Sequence, residues 1–366
     1  MTSSAMSGAA SSTLFVRRRR SLVAHALRIL DAWSYTEIDV PLLSPFAALR
    51  PAIGDDVDRE LFRFVDRSGE LLYLRGDLTP TVAHVLARRL DPQAGPLRVS
   101  YANRIARVQR DFARQQFESY EAGFELVGEP APASDIEALV VAADLITSLG
   151  VTTPTFVVGD VRIARALCHR AGPLAADLLK AVSVRDVAHV QALSDRAGLP
   201  TADRAALASL CRMAAQRELA TALCTHADAD VRHAAAHLLA STDALKEAVP
   251  GIRVSLDLSA VGRRSYYTGL QFSIVSETWG TALGAGGRYD DLFGHFGSSA
   301  SAVGFGLYID RLVRAGFGDD DAAASPELAL AADSFATAVA ARRAGERIRM
   351  QHVRVDVDPD SRGGAP

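Results

Sequence analysis

The chain has 366 residues, 49% of them hydrophobic, with a formal net charge of −3 and a pI near 6.3. That length and hydrophobic content allow two or three domains with sizeable cores. The acidic balance gives no global electrostatic reason to expect nucleic acid, no run approaches the ~18 apolar residues of a membrane span, and Cys168, Cys211 and Cys224 match no zinc spacing and fit reduced thiols in a cytoplasmic protein.

Residues 1–13 read as a loose tail. Arg17 to Arg20 could belong to a transit peptide, but they run directly into Ser21–Leu30, whose apolar spacing is helical, so they read better as the first turns of a helix. That helix extends to Trp33, and Tyr35–Val40 alternates like a strand stopped by Pro41. Leu61–Val65 and Leu71–Leu74 are two strands around a turn at 66–69, and Thr79-Pro80 opens a helix to Leu90. Arg98–Ile105 and Ser119–Leu126 are strands flanking an arginine-rich loop, 107–116. Ser134–Leu149 is a helix with Ser134 as its cap and Gly150 past its end. Pro154–Val158 is a strand, and residues 161–250 form an Ala-, Leu- and Arg-rich helical insertion. Strands return at Arg253–Leu258, Ser265–Val275 and Thr281–Leu283, followed by a tight loop at Gly284–Asp290, a strand at Ala302–Tyr308 and a helix from Ile309. Beyond a linker at 318–325 stands one short strand-helix-strand unit within 326–366. Strands that mostly do not alternate with helices predict an α+β fold, an antiparallel sheet flanked by helices, built from 14–160 and 251–318. Gly284–Gly287 is not a dinucleotide fingerprint, since Tyr289 stands where the third glycine belongs.

Several separate stretches, in order, resemble histidyl-tRNA synthetase and its class II relatives. They are Tyr35–Pro41, Leu74-Arg75-Gly76-Asp77-Leu78-Thr79-Pro80, Arg107–Gly128, Ser265-Tyr266-Tyr267-Thr268-Gly269-Leu270-Gln271-Phe272, Gly287-Arg288-Tyr289-Asp290 and Ala302–Leu312. The resemblance covers roughly residues 14–315 and implies a class II synthetase-like core with a homodimer formed through the segment 35–41. It also implies a histidine pocket: Asp77, Thr79 and Glu121 near the amino group, with Glu125, Tyr267 and Tyr289 around the imidazole and Arg107 and Tyr266 beside them. Such a ligand needs an acceptor for its ammonium and hydrogen-bonding groups at both imidazole nitrogens. Taken alone, tyrosines and glutamates on a strand are a wet amphipathic face; Glu121 and Glu125, four apart, do share one side.

Adenylation asks for more, because positive groups must stabilise the charge developing at the ATP α-phosphate. Here the ATP site is vestigial. Arg107 and Arg311 keep the arginines of the second and third class II motifs. Gln109 and Gln115, however, stand where a glutamate and an arginine are expected, and Gly262 where a further catalytic arginine is expected, with Arg263 and Arg264 nearby. The segment after the linker is too short for a full anticodon-binding domain. A histidine pocket, a damaged ATP site and a truncated C-terminal α/β unit resemble the regulatory subunits of ATP phosphoribosyltransferase. That resemblance implies a non-catalytic protein without cofactor, metal, membrane or tRNA, whose partners are a short-form catalytic subunit and L-histidine as feedback effector, in a hetero-octamer built from regulatory dimers. The competing readings are a divergent active histidyl-tRNA synthetase and a paralogue sensing histidine or tRNA for another partner.

Overall fold

The computed structural model describes residues 13–90, 95–108, 117–262, 264–277, 279–318, 327–331 and 347–351. The chain divides into two units at Gly318. Among the described residues no helix is long and apolar enough to cross a membrane.

The first unit begins with α1 (Thr13–Ala32), which takes in Arg17–Arg20, then β1 (Thr36–Glu37), β2 (Leu43–Pro45), the short helices α2 (Phe46–Leu49) and α3 (Asp55–Asp58), β3 (Arg63–Val65) and β4 (Leu71–Leu74). Next come α4 (Leu78–Leu86), β5 (Leu97–Ala106), β6 (Glu118–Val127), α5 (Ala133–Ser148) and β7 (Pro154–Asp160). Six helices follow: α6 (Val161–His169), α7 (Ala175–Ser183), α8 (Val187–Arg196), α9 (Thr201–Leu210), α10 (Gln216–Leu223) and α11 (Ala229–Ala248). The unit closes with β8 (Arg253–Leu256), β9 (Leu270–Ser276), β10 (Trp279–Arg288), β11 (Ala302–Tyr308) and α12 (Ile309–Arg314). In the second unit β12 (Glu327–Ala331) pairs in parallel with β13 (Arg347–Gln351).

The large sheet has eight strands in the order β1-β5-β6-β11-β10-β9-β7-β8. Its interior pairings are antiparallel, as the sequence predicts, but both edge strands, β1 on β5 and β8 on β7, run parallel. One face of the sheet carries Ala122, Phe124 and Leu126 into the main core with α1, α5, α11 and α12. The opposite face meets α4 and a smaller apolar cluster that includes Tyr101, Tyr267 and Tyr289. β2, β4 and β3 form a separate three-stranded antiparallel sheet.

Four sequence expectations change. The alternating run 35–40 pairs only over Thr36–Glu37, at the edge of the sheet. Residues 265–269 form turns rather than strand, with Tyr267 donating its N–H to the Arg264 carbonyl. Ser134 does not cap α5, because that cap is Pro132; the Ser134 hydroxyl instead donates to the Glu129 and Pro130 carbonyls at 2.9 and 3.0 Å. Most tellingly, Gly284–Arg288 is not a loop but the end of β10. A Cβ on Gly284 would collide with the Phe305 ring, and one on Gly286 would collide with the Gly304 carbonyl oxygen and stand 2.9 Å from the Phe272 ring. These glycines exist so that Phe272 and Phe305 can lie stacked across the sheet, 5.5 Å apart.

Candidate functional site

Alternation along β6 positions the first acids. Phe124 and Leu126 are fully buried in the main core, so Glu121 and Glu125 emerge on the other face. Glu125 is itself 0% exposed and takes three hydroxyl donors. Thr79 Oγ1 donates to Oε1 at 2.8 Å, the Tyr101 hydroxyl donates to the same oxygen at 3.0 Å, and the Tyr289 hydroxyl donates to Oε2. Burial pushes the Glu125 carboxyl up to about 7, although the hydroxyls of Tyr289, Thr79 and Tyr101 favour its charged form. The space for this carboxyl is made by Gly304, its partner residue on β11. A Cβ on Gly304 would collide with the Glu125 carboxyl and stand 2.6 Å from the Phe124 carbonyl oxygen, which cannot swing away. Gly304→Ala is therefore expected to destabilise the fold by about 1–3 kcal/mol through overpacking, as read by urea denaturation. A variant as stable as wild type would mean that β11 yields without cost.

Asp77 follows from local helix chemistry. It is the N-cap of α4, its carboxylate accepting the Thr79 N–H at 3.3 Å. The same carboxylate accepts from the Tyr266 hydroxyl at 3.2 Å and pairs with Arg264 Nε at 3.2 Å. Arg264 also donates through Nη1 to Glu60 at 2.9 Å. Arg107 donates through Nη1 to Glu121 at 3.1 Å and through Nε to the Gly76 carbonyl. Burial raises the Glu121 carboxyl above its ordinary value while Arg107 opposes the shift. Tyr266 stands edge-on to both Tyr267, at 5.3 Å, and Tyr289, at 5.9 Å. All eight residues expected around the amino acid therefore sit in one connected polar and aromatic cluster. Four carboxyl groups, Glu60, Asp77, Glu121 and Glu125, face two guanidiniums there, a balance suited to a ligand bearing an ammonium.

The residues of the expected ATP site fare differently. Gln109 and Gln115 lie outside the described residues. Arg311 donates to the Ala282 carbonyl at 2.6 Å and stacks over the Tyr308 ring at 4.3 Å. Gly262 sits at φ +106°, a conformation that an arginine would adopt only under strain. Arg264, two residues beyond the position where that arginine is expected, is paired with Asp77 and Glu60.

Sequence reasoning missed three participants. Glu60 and Tyr101 reach the cluster from other strands and loops, and Tyr101 was signalled only by Gly123, its cross-strand partner, where any Cβ would stand 2.8 Å from the Tyr101 hydroxyl. Arg288 was part of a motif without a role; it is buried and donates to Asp135 and Asp290, both at 2.8 Å, and to Ser134. It thereby anchors the end of β10, next to Tyr289, against α5.

An eight-stranded, centrally antiparallel sheet with its main helical layer on one face and a buried cluster of acids and tyrosines on the other defines a class II aminoacyl-tRNA-synthetase-like protein. The family model for histidyl-tRNA synthetase matches residues 14–312. The chain is 32% identical to the ATP phosphoribosyltransferase regulatory subunit of Geobacillus thermodenitrificans, covering 88% of this chain and 84% of that one. It is 33% identical to the regulatory subunit of Symbiobacterium thermophilum, covering 93% and 86%. A crystal structure from Bacillus halodurans, described as an ATP phosphoribosyltransferase regulatory subunit/histidyl-tRNA synthetase, superposes with a TM-score of 0.80 at 25% identity, over 94% of this chain and 91% of that one. The chain belongs to the histidyl-tRNA synthetase family and, within it, to the family of ATP phosphoribosyltransferase regulatory subunits.

Proposed function

We propose that this chain is the non-catalytic regulatory subunit of ATP phosphoribosyltransferase, required by a short-form catalytic subunit and carrying feedback inhibition by L-histidine in the cytoplasm. The observation that carries the reading is the contrast inside one site. The acids and tyrosines that would hold an amino acid are all assembled around Glu125, whereas the expected catalytic arginine is replaced by a glycine at φ +106°. Removing one guanidinium from a developing anion typically costs about 10²-fold or more in rate, so the pocket is suited to binding and poorly suited to adenylation.

The subunit would act as a homodimer within a hetero-octamer. Support for self-association comes from the three-stranded sheet and the chain leading into it, where Leu42 and Leu43, directly after the segment 35–41, and Phe64, Val65 and Leu71 on β3 and β4 are exposed. The test is co-purification with the catalytic subunit followed by a histidine titration. Phosphoribosyltransferase activity is expected only with both subunits present, falling as histidine rises, and the chain alone should give no histidine-dependent ATP–pyrophosphate exchange above background. Robust exchange by the purified chain would sink the regulatory reading in favour of an active synthetase.

A further inference from the structure

A zwitterionic amino acid held by its ammonium and side chain still presents a carboxylate, which needs a cation. Neither guanidinium of the acid and tyrosine cluster is free to supply it. Arg107 is committed to Glu121 and the Gly76 carbonyl, and Arg264 to Asp77 and Glu60.

Arg165 differs. It lies on α6, in the helical stretch, and is half-buried. Among the described residues its one hydrogen bond is a long contact of 3.5 Å to the Val261 carbonyl, and it joins no ion pair. Burial lowers its pKa from the ordinary value, with Asp160 and Asp291 the acids that oppose the shift at a distance. A desolvated guanidinium without an anion is costly, and a bound carboxylate would relieve that cost.

Its position is equally informative. Arg165 Nη2 lies 3.4 Å from where a Cβ on Gly262 would stand. It also lines a cleft of about 290 Å³ together with Ser265, Tyr266, Tyr267, Thr268 and Asp291, and Tyr266 belongs both to this cleft and, through its hydroxyl on Asp77, to the Asp77–Glu125 cluster. The helix α6 thus delivers a guanidinium to the place that the segment before Tyr266-Tyr267 leaves open.

We propose that Arg165 is the carboxylate-binding residue of this pocket: it takes the α-carboxylate of an amino acid whose ammonium and side chain meet Asp77 and Glu125. The assignment rests on the reading of the pocket as an amino-acid site. It gives the helical stretch a direct part in recognition, because one ligand then bridges α6 and the sheet.

The test is calorimetry on the full-length chain with two probes, L-histidine and histamine, which keeps the imidazole and the ammonium but has no carboxylate. Arg165→Met is expected to weaken L-histidine binding about 10- to 100-fold, the range for losing a charge-assisted hydrogen-bonded pair, and to leave histamine affinity unchanged. Arg165→Lys, which restores the charge without the planar fork, is expected to recover part of the loss. An Arg165→Met chain that binds L-histidine within about twofold of wild type, or that loses histamine in the same proportion, overturns the assignment. Glu125→Gln run alongside separates the two ideas. Loss of histidine binding in Glu125→Gln but not in Arg165→Met overturns the Arg165 role alone, whereas a wild type that binds neither probe overturns the reading of the pocket.

Discussion

Exchanging His237 for glutamine is expected to lower the stability of the folded chain by about 2–3 kcal/mol at pH 6 and by almost nothing at pH 9.5. His237 sits on α11, with Nε2 3.1 Å from Asp135 of α5 and Nδ1 3.4 Å from Asp160 at the end of β7. Both carboxylates are 0% exposed, and each also holds an arginine: Asp135 pairs with Arg288, and Asp160 with Arg162. Burial alone would lower the imidazole pKa, but the hydrogen bonds and charges of Asp135 and Asp160 outweigh it and push it up to about 9. In the unfolded chain the ordinary value near 6.5 applies. A histidine whose folded value is raised contributes its full stabilisation below about pH 6.5 and loses it progressively up to about pH 9. At 1.36 kcal/mol per unit, the shift caps the effect at about 3 kcal/mol. Glutamine keeps a donor of similar size but cannot carry the charge. Urea denaturation of both proteins at pH 6, 8 and 9.5 is the measurement, and a difference that stays constant with pH would show that His237 contributes packing and no ion pair.

That cluster also marks the limit of what the sequence makes legible. Alternation in β6 separates Phe124 and Leu126 from Glu121 and Glu125 without any structure, because the two faces of a strand have period two. Asp77 and Thr79 are likewise readable, since an acid three residues before a first-turn proline is a cap in physics as well as in motif. Contacts that depend on register between distant segments are not. Arg288 and Asp135 are 153 residues apart in the chain, and nothing local in either pairs them. Tyr101 joins Glu125 only because β5 and β6 register Tyr101 opposite Gly123. The run 284–290 misleads for a related reason. Glycine in isolation signals a turn, whereas here its missing side chain is required by aromatic rings that arrive from β9 and β11. The parallel direction of the edge strands is hidden too, since alternation marks a strand but not its direction, and β1 and β8 are only two and four residues long.

Glu125→Gln is expected to weaken L-histidine binding about 10- to 100-fold and to relieve inhibition in step, leaving the uninhibited activity of the complex nearly intact. The reason lies in the donors around the carboxyl. Thr79, Tyr101 and Tyr289 all present hydroxyls to it, and an imidazole N–H would add a further donor to the same acceptor. An amide offers one oxygen where the carboxylate offers two, so a donor is left facing an NH2 group in a fully buried site. Feedback requires histidine to favour one state of the complex, and a coupling of about 1–3 kcal/mol would be ordinary, so affinity and inhibition should fall together. The empty protein should respond in the opposite sense. The folded Glu125 carboxyl titrates at about 7 against an ordinary value near 4.5. An acid with a raised folded value costs the fold nothing below about pH 4.5. Between pH 4.5 and 7 the unfolded chain ionises more readily, so stability falls, by up to about 3 kcal/mol above pH 7. Glutamine does not ionise, so the variant should match or fall slightly below wild type at pH 4.5 and exceed it at pH 8. A pocket held in readiness for a ligand at the expense of stability predicts that pairing: tighter folding and weaker binding from one substitution. Calorimetry with histidine, inhibition curves of the complex and denaturation at the two pH values check the three parts separately. Normal histidine affinity in Glu125→Gln would move the sensor away from this pocket and towards the boundary with the catalytic subunit.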